Sequence, residues 1–173
     1  MTGGKYPSGP GSIPEKNKEY LEVVQKLLDN VNIKKIVEIG FGDYALASRY
    51  NIPEGKKYIG YDVVESLMQE NTTYREFRFI RSAHEINETG DLLITKDVIQ
   101  HWPNKEVKWY LDTLVPRFKY VLLHNGATDG PQTDIKFGGF RLINLNSYEP
   151  KQLLLDIPPR RTYILPKYPP TTP

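Results

Sequence analysis

Two carboxylates and two glycines are spaced to do chemistry: Glu38, Gly40, Gly42 and Asp62. The run Lys35-Ile36-Val37-Glu38-Ile39-Gly40-Phe41-Gly42-Asp43 reads as a buried strand entering a glycine turn. Ile36, Val37 and Ile39 suit a central parallel strand, and glycines let the backbone turn sharply and approach a ligand. A second short strand, Tyr58-Ile59-Gly60-Tyr61-Asp62, ends on a carboxylate. About twenty residues separate Gly42 from Asp62, which suits a βαβ unit whose acidic tip grips the two hydroxyls of a ribose. An ionised carboxylate only accepts hydrogen bonds, so it can take both hydroxyl protons. These residues predict a nucleoside cofactor at the carboxyl edge of a parallel sheet.

The pattern Gly40-x-Gly42-x-x-Ala45 also satisfies a dinucleotide fingerprint. Two features argue against NAD. Glu38 precedes the first glycine by two residues, where a carboxylate faces a pyrophosphate badly and an amino-acid ammonium well. The chain is also too short for two mononucleotide halves and a substrate domain. The stretch from Glu38 to Gly42 resembles the first motif of the class I S-adenosylmethionine-dependent methyltransferases, Glu/Asp-x-Gly-x-Gly. The resemblance extends over residues 12–165. It implies S-adenosylmethionine as cofactor, held by Glu38, Gly40, Gly42 and Asp62, with Val63 over the adenine face. An acid often follows the third strand in that family. Here the sequence is Ser82-Ala83-His84, so Ser82, Ala83 or backbone must make that contact. Lys96, after the fourth strand, completes the cofactor set.

In that family the segment after the fourth strand lines the methyl-acceptor pocket, here Lys96-Asp97-Val98-Ile99-Gln100-His101-Trp102. Methyl transfer to a hydroxyl needs an aligned nucleophile and a base for its proton. Imidazole is the side chain suited to that work near neutral pH, which makes His101 the candidate base. Asp97 either orients His101 or is itself the base. The structural alternatives are a His101 that caps the next helix and an Asp97 that binds backbone amides. Trp102 is either a pocket wall or core. His124 falls at the end of the adjacent strand and joins the substrate set. Arg141, after Gly138-Gly139-Phe140, either reads a phosphate or carboxylate or makes a surface salt bridge. Carboxylates after strands four and five would be needed for a divalent ion. Asp97 followed by His124-Asn125-Gly126 is an incomplete set, so no catalytic metal is expected.

The elements that must position these residues follow from pattern. With 173 residues and no cysteine, one core is expected without disulfides or thiolate metal sites. No apolar run reaches membrane-spanning length and no signal peptide is evident, so a soluble cytoplasmic protein is expected. Lys+Arg 23 against Asp+Glu 21 is too balanced to demand a nucleic-acid partner. Residues 1–11 form a flexible or docking N-terminal arm, which Tyr6 and Ser8-Gly9-Pro10 suit to folding over the cofactor. Residues 12–165 form the methyltransferase domain, and residues 166–173 a proline-rich tail. Ser12-Ile13-Pro14-Glu15 reads as a capping box, opening a helix with Tyr20, Leu21, Val24, Leu27, Leu28 and Val31 on one face. Short helices are expected over residues 44–50 and 64–71, and a longer one from Asn104 to Pro116. Further strands are expected at Phe77–Ile80, Asp91–Thr95 and Tyr120–Leu123, with antiparallel ones at Phe140–Leu145 and Thr162–Leu165. The polar stretch from Gly126 to Gly139 is long enough to be functional or mobile.

The fold class is therefore α/β, a three-layer sandwich around a mainly parallel sheet, to which the resemblance adds seven strands and an antiparallel edge hairpin. The expected activity is S-adenosylmethionine-dependent O-methylation, the acceptor a sugar hydroxyl of a glycan or another small molecule. Two alternatives stand beside it: an RNA ribose 2′-O-methyltransferase using Asp97 with Lys136, and a methyltransferase fold that binds without turnover. Nucleic acid is not the favoured partner, and no membrane is expected.

Overall fold

A computed structural model describes residues 7–149 and 151–166. The proline-rich tail beyond Pro166 and Tyr6, with the first part of the arm, lie outside the described residues. The chain forms a seven-stranded sheet, mainly parallel with antiparallel strands at one edge. It divides into two compact units that part between Glu88 and Thr89.

In the first unit the parallel strands β1 (Lys35–Ile39), β2 (Lys57–Asp62) and β3 (Arg75–Phe79) run in the order β3-β2-β1. Ile36, Val37, Tyr58 and Ile59 are almost fully buried, as expected for strands covered on both faces. The helix α1 (Lys18–Asp29) buries Tyr20, Val24 and Leu28, one residue per turn. Its exposed carbonyl end is closed by Lys56, whose buried ammonium donates to Leu28 O and Asn30 O, the favourable sign for a helix C-terminus.

Local structure here departs from the sequence expectation in three places. The capping box does not form. Pro10 and Pro14 each open a one-turn 3₁₀ segment, and α1 starts only after Asn17. The Ser12 hydroxyl is directed instead to Gly9 O at 2.8 Å and Asp43 Oδ2 at 3.2 Å. Val31, expected on the helix face, lies beyond its end and is 73% exposed. The expected helices over residues 44–50 and 64–71 shrink to 3₁₀ turns, Ala47–Arg49 and Glu65–Leu67. Tyr44 takes a left-handed φ of 65°, which a right-handed helix excludes. Asn71 uses its side chain to accept from Phe77 N at 2.7 Å.

In the second unit β4 (Gly90–Lys96) pairs parallel with β5 (Phe118–Gly126). The hairpin β6 (Gln152–Ile157) and β7 (Arg160–Pro166) adds antiparallel to β5 through β7. Phe140–Leu145 is thus not the partner of Thr162–Leu165. Of that segment only Ile143 makes a bridge, to Ala127, and the true edge strand is the leucine run after Pro150. Between β4 and β5 lie α2 (Asn104–Trp109), a π turn (Tyr110–Leu114) and a 3₁₀ turn containing Pro116. The π turn carries Tyr110 onto β4, where its hydroxyl donates to Thr95 Oγ1 at 2.9 Å in the core. Among the described residues no helix is long and apolar enough to cross a membrane.

Candidate functional site

In the first unit the candidate nucleoside grip is built at the carboxyl ends of β1 and β2. Gly40 and Gly42 have φ of 74° and 62°, values that glycine alone adopts without strain. Gly40 N donates to Tyr61 O at 2.7 Å, holding the turn against β2. Asp62 then receives the turn directly. Its Oδ2 accepts from Gly42 N at 2.9 Å and its Oδ1 from Val64 N at 3.0 Å. Each carboxylate oxygen keeps a further lone pair for a donor from outside. Beside it Val63 is 59% exposed, Val64 43% and Phe79 40%. These form an apolar border next to the acid, suited to a base face. Ser82 caps a 3₁₀ turn that starts at Ala83, its Oγ accepting from His84 N at 3.3 Å.

Glu38 is placed differently from the sequence expectation. It is 3% exposed and accepts from Tyr58 OH at 2.6 Å and Tyr50 OH at 3.2 Å. Burial first, and then the Glu38 charge, push both phenols well up, so they remain donors. Glu38 therefore closes a tyrosine cage under the glycine turn rather than presenting a free face to an ammonium. The cage is braced by Arg75, which donates to Ala47 O at 2.8 Å and Tyr50 O at 2.6 Å.

The arm has a contact that sequence reading did not resolve to residues. Ser8 N donates to Asp43 Oδ2 at 3.1 Å, and Asp43 N donates back to Ser8 Oγ at 2.7 Å. A β-carbon on Gly42 would lie 2.7 Å from Ser8 Oγ. Gly42 is thus needed for the arm to seat on the turn.

In the second unit the residues after β4 separate into two clusters. Asp97 has a left-handed φ of 55°, rare for a side-chain-bearing residue outside functional positions. Its N–H donates to His124 O at 2.7 Å, and its carboxylate pairs with the buried ammonium of Lys96 and with Arg160 Nε at 3.2 Å. Burial alone would raise the Asp97 carboxyl, but Lys96, then Arg160, outweigh it and hold it low. His124 is 4% exposed, bonded through Nδ1 to Thr162 Oγ1 at 2.7 Å. Burial and the Lys96 charge push its imidazole down to about 3, so it is neutral. Lys96, Asp97 and His124 therefore form one buried network, met at its exposed side by Arg160, which no local pattern selects.

His101 belongs to the other cluster. The expected relay from Asp97 to His101 is absent, because Lys96 and Arg160 occupy the carboxylate. His101 Nδ1 lies 2.7 Å from Gly139 O and Nε2 lies 3.4 Å from Gln100 Nε2. The polar stretch before Phe140 is fastened to this turn: Gly138 N donates to His101 O at 3.0 Å, Arg141 N to Gln100 O at 3.1 Å, and Asn104 N to Asp134 Oδ1 at 2.7 Å. Arg141 is 5% exposed, neither at the surface nor in an ion pair. Its Nη2 donates to Trp102 O at 2.6 Å, while Nε and Nη1 are buried with no partner. Trp102 is half-buried with its ring edge-on to Tyr110. Phe137 and Phe140 stand 63% and 62% exposed, and the Phe140 ring lies 5.9 Å from that of His101. Among the described residues no group of three or more His, Cys, Asp or Glu side chains is assembled for a metal ion.

No protein-family model matches the sequence, and no curated protein matches it significantly. Solved structures do match. The methyltransferase domain of a bacterial Hen1 superposes with a TM-score of 0.65 at 15% identity, covering 87% of this chain and 98% of that one. Human N-acetylserotonin methyltransferase in complex with SAM gives 0.61 at 13% identity over 93% of this chain, which spans 60% of the human one. The mitomycin 7-O-methyltransferase MmcR gives 0.61 at 14% identity over 84% of this chain, which spans 53% of it. The seven-stranded sheet, its antiparallel edge and these superpositions together establish that the chain has the fold of the class I methyltransferases.

Proposed function

We propose that the protein is an S-adenosylmethionine-dependent O-methyltransferase, with residues 12–165 as its catalytic domain. The observation that carries this reading is Asp62. It stands at the carboxyl end of β2 on this fold, oriented by Gly42 N and Val64 N, with lone pairs left for two ribose hydroxyls. The residues fit the cofactor. Asp62 would hold the ribose, Val63 and Ser82-Ala83 would border the adenine, and the Gly40–Gly42 turn would let the backbone approach the amino-acid end. Lys96 stays paired with Asp97. The bound cofactor supplies a sulfonium methyl group. This chain must orient the acceptor oxygen and remove its proton, and His101 is the residue assigned to that proton.

For the acceptor, the exposed pair Phe137 and Phe140 beside His101 favours a molecule with a flat apolar face, a sugar ring or another small hydroxylated compound. An RNA ribose is the second reading. It is favoured by the match to the Hen1 domain along almost its full length and by a chain of the Pnkp1/Rnl/Hen1 RNA repair complex, matched at a TM-score of 0.57 over 41% of its length. Lys136, the distant lysine candidate for that reading, is exposed in the loop before Phe137. A nicked or capped RNA and a sugar panel, offered with labelled S-adenosylmethionine, separate the two.

The cofactor is tested by calorimetry. S-adenosylmethionine and S-adenosylhomocysteine should bind, and NAD should not. Asp62→Ala should lose about 1.5–3 kcal/mol of binding, the worth of hydrogen bonds to a charged group. Tight NAD binding with no heat from S-adenosylmethionine would overturn the reading.

A further inference from the structure

The hydrogen bonds around His101 have directions that the chemistry of their partners determines. Gly139 contributes a carbonyl oxygen, which only accepts, so the proton of that 2.7 Å bond resides on His101 Nδ1. At the other nitrogen the partner is the side-chain amide of Gln100, and its orientation is also determined. Gln100 Oε1 accepts from Gly126 N at 2.8 Å. The opposite end of the amide is therefore the NH₂, which only donates, and it is this end that lies 3.4 Å from His101 Nε2. Two backbone groups, Gly126 N–H and Gly139 C=O, thus orient one chain of bonds from opposite ends. Both require the same neutral tautomer, with the proton on Nδ1 and a lone pair on Nε2.

The surroundings are built for this chain. Gln100 is 5% exposed and is held at its backbone too, its N–H donating to Asn125 Oδ1 at 3.2 Å and its carbonyl accepting from Arg141 N at 3.1 Å. A β-carbon at Gly126 would come 2.9 Å from Leu142 Cδ2 and 3.1 Å from Gln100 Oε1, so glycine there makes room for the amide. A β-carbon at Gly139 would meet Lys136 O at 3.1 Å. Around the same turn the charged groups are Arg141, anchored on Trp102 O, and Asp134, anchored on Asn104 N. Neither bonds the imidazole. The tautomer is thus set by neutral amides.

We propose that Gln100 is a positioning residue for His101. With the Gly139 carbonyl it keeps Nε2 as the basic nitrogen, and its own long N···N contact holds the place that an acceptor hydroxyl takes. This inference rests on the reading of His101 as the base. The hydroxyl proton would pass to Nε2 as the oxygen takes the methyl group, whose bond to the sulfonium sulfur breaks to leave a neutral thioether. The imidazolium that results donates from both nitrogens, to Gly139 O and to solvent or product. Gln100 itself exchanges no proton.

Nitrogen NMR on histidine-labelled full-length protein tests it, with His101 assigned by its loss in His101→Ala. Above neutral pH the parent should show His101 with the proton on Nδ1, the reverse of the tautomer that free neutral imidazole prefers in water. Gln100→Glu places a carboxylate, an acceptor only, at Nε2. Both nitrogens should then be protonated at neutral pH, and turnover should fall by about 10²–10⁴-fold with S-adenosylmethionine affinity retained. Gln100→Met keeps the side-chain length and should retain the Nδ1 proton through Gly139 alone. A parent His101 protonated on Nε2 would overturn the proposal. So would full turnover in a folded Gln100→Glu. Full turnover in His101→Ala, with the Nδ1 tautomer present in the parent, would instead refute His101 as the base.

Discussion

At the scale of single residues, the buried carboxylate of Glu38 has the largest consequence for stability. Two phenols donate to it inside the cage. Removing one donor takes a hydrogen bond from a carboxylate that is almost fully buried. Tyr58→Phe should therefore cost about 1.5–3 kcal/mol in urea unfolding, the range for hydrogen bonds to charged groups, although it removes a single oxygen. A loss under about 0.5 kcal/mol would mean that the carboxylate is solvated from elsewhere. Residue identity alone showed that Glu38 preceded a glycine turn, but not which way it pointed. On a strand, alternate side chains go to opposite faces. Glu38 lies on the face shared with Tyr58, which belongs to a different strand. Gly40, Gly42 and Asp62 were legible because a turn and a strand end are local features. Arg160 and Gln100 were not. Arg160 meets Asp97 across 63 residues and Gly139 meets His101 across 38, and no local pattern encodes such a meeting.

At the scale of elements, the strands were largely readable and the connections were not. β-branched and aromatic runs declared β1, β2, β4 and β5 to within a few residues. The short crossover helices failed because apolar periodicity over seven residues cannot distinguish a helix from turns whose side chains are engaged elsewhere. Tyr44 and Asn71 are such residues. The arm is an element of the same kind, held by a reciprocal pair of bonds between Ser8 and Asp43. Asp43→Ala should release it without unfolding the sheet. The expected result is faster protease cleavage before Ser12 and weaker S-adenosylmethionine binding, by about 5–30-fold if one or two ordinary hydrogen bonds of ~1 kcal/mol seat the arm. Deletion of residues 1–11 should reproduce the weaker binding. Unchanged affinity in both variants would make the arm a passive tail.

At the scale of the whole molecule, pH should act through His124. Its imidazole ordinarily titrates near 6.5 and is pushed down to about 3 in the folded protein. Between those values the unfolded chain holds a proton that the native state refuses, so stability must fall as pH is lowered. The slope approaches ~1.4 kcal/mol per pH unit in the middle of the window. The carboxylates that the fold holds low, Asp97 among them, add their losses from about pH 5 downward. Denaturant midpoints measured from pH 7 to 4.5 should therefore fall steadily in the parent and less steeply in His124→Gln. Equal slopes in the two would remove His124 as the source.

The meagre connections between strands carry a consequence in time. β1 with β2, β2 with β3, and β4 with β5 are parallel pairs, and a parallel pair can form only after the intervening chain has been threaded across. In this protein much of that chain consists of single 3₁₀ turns, which lend little structure of their own before the strands meet. Loop-closure entropy is then opposed by few early local contacts, the condition under which domains fold in milliseconds to seconds rather than microseconds. During that interval the apolar runs Ile36-Val37 of β1 and Leu92-Leu93-Ile94 of β4 lie open to other chains. Synthesis at low temperature and low concentration is the condition under which this sequence reaches its native sheet in best yield.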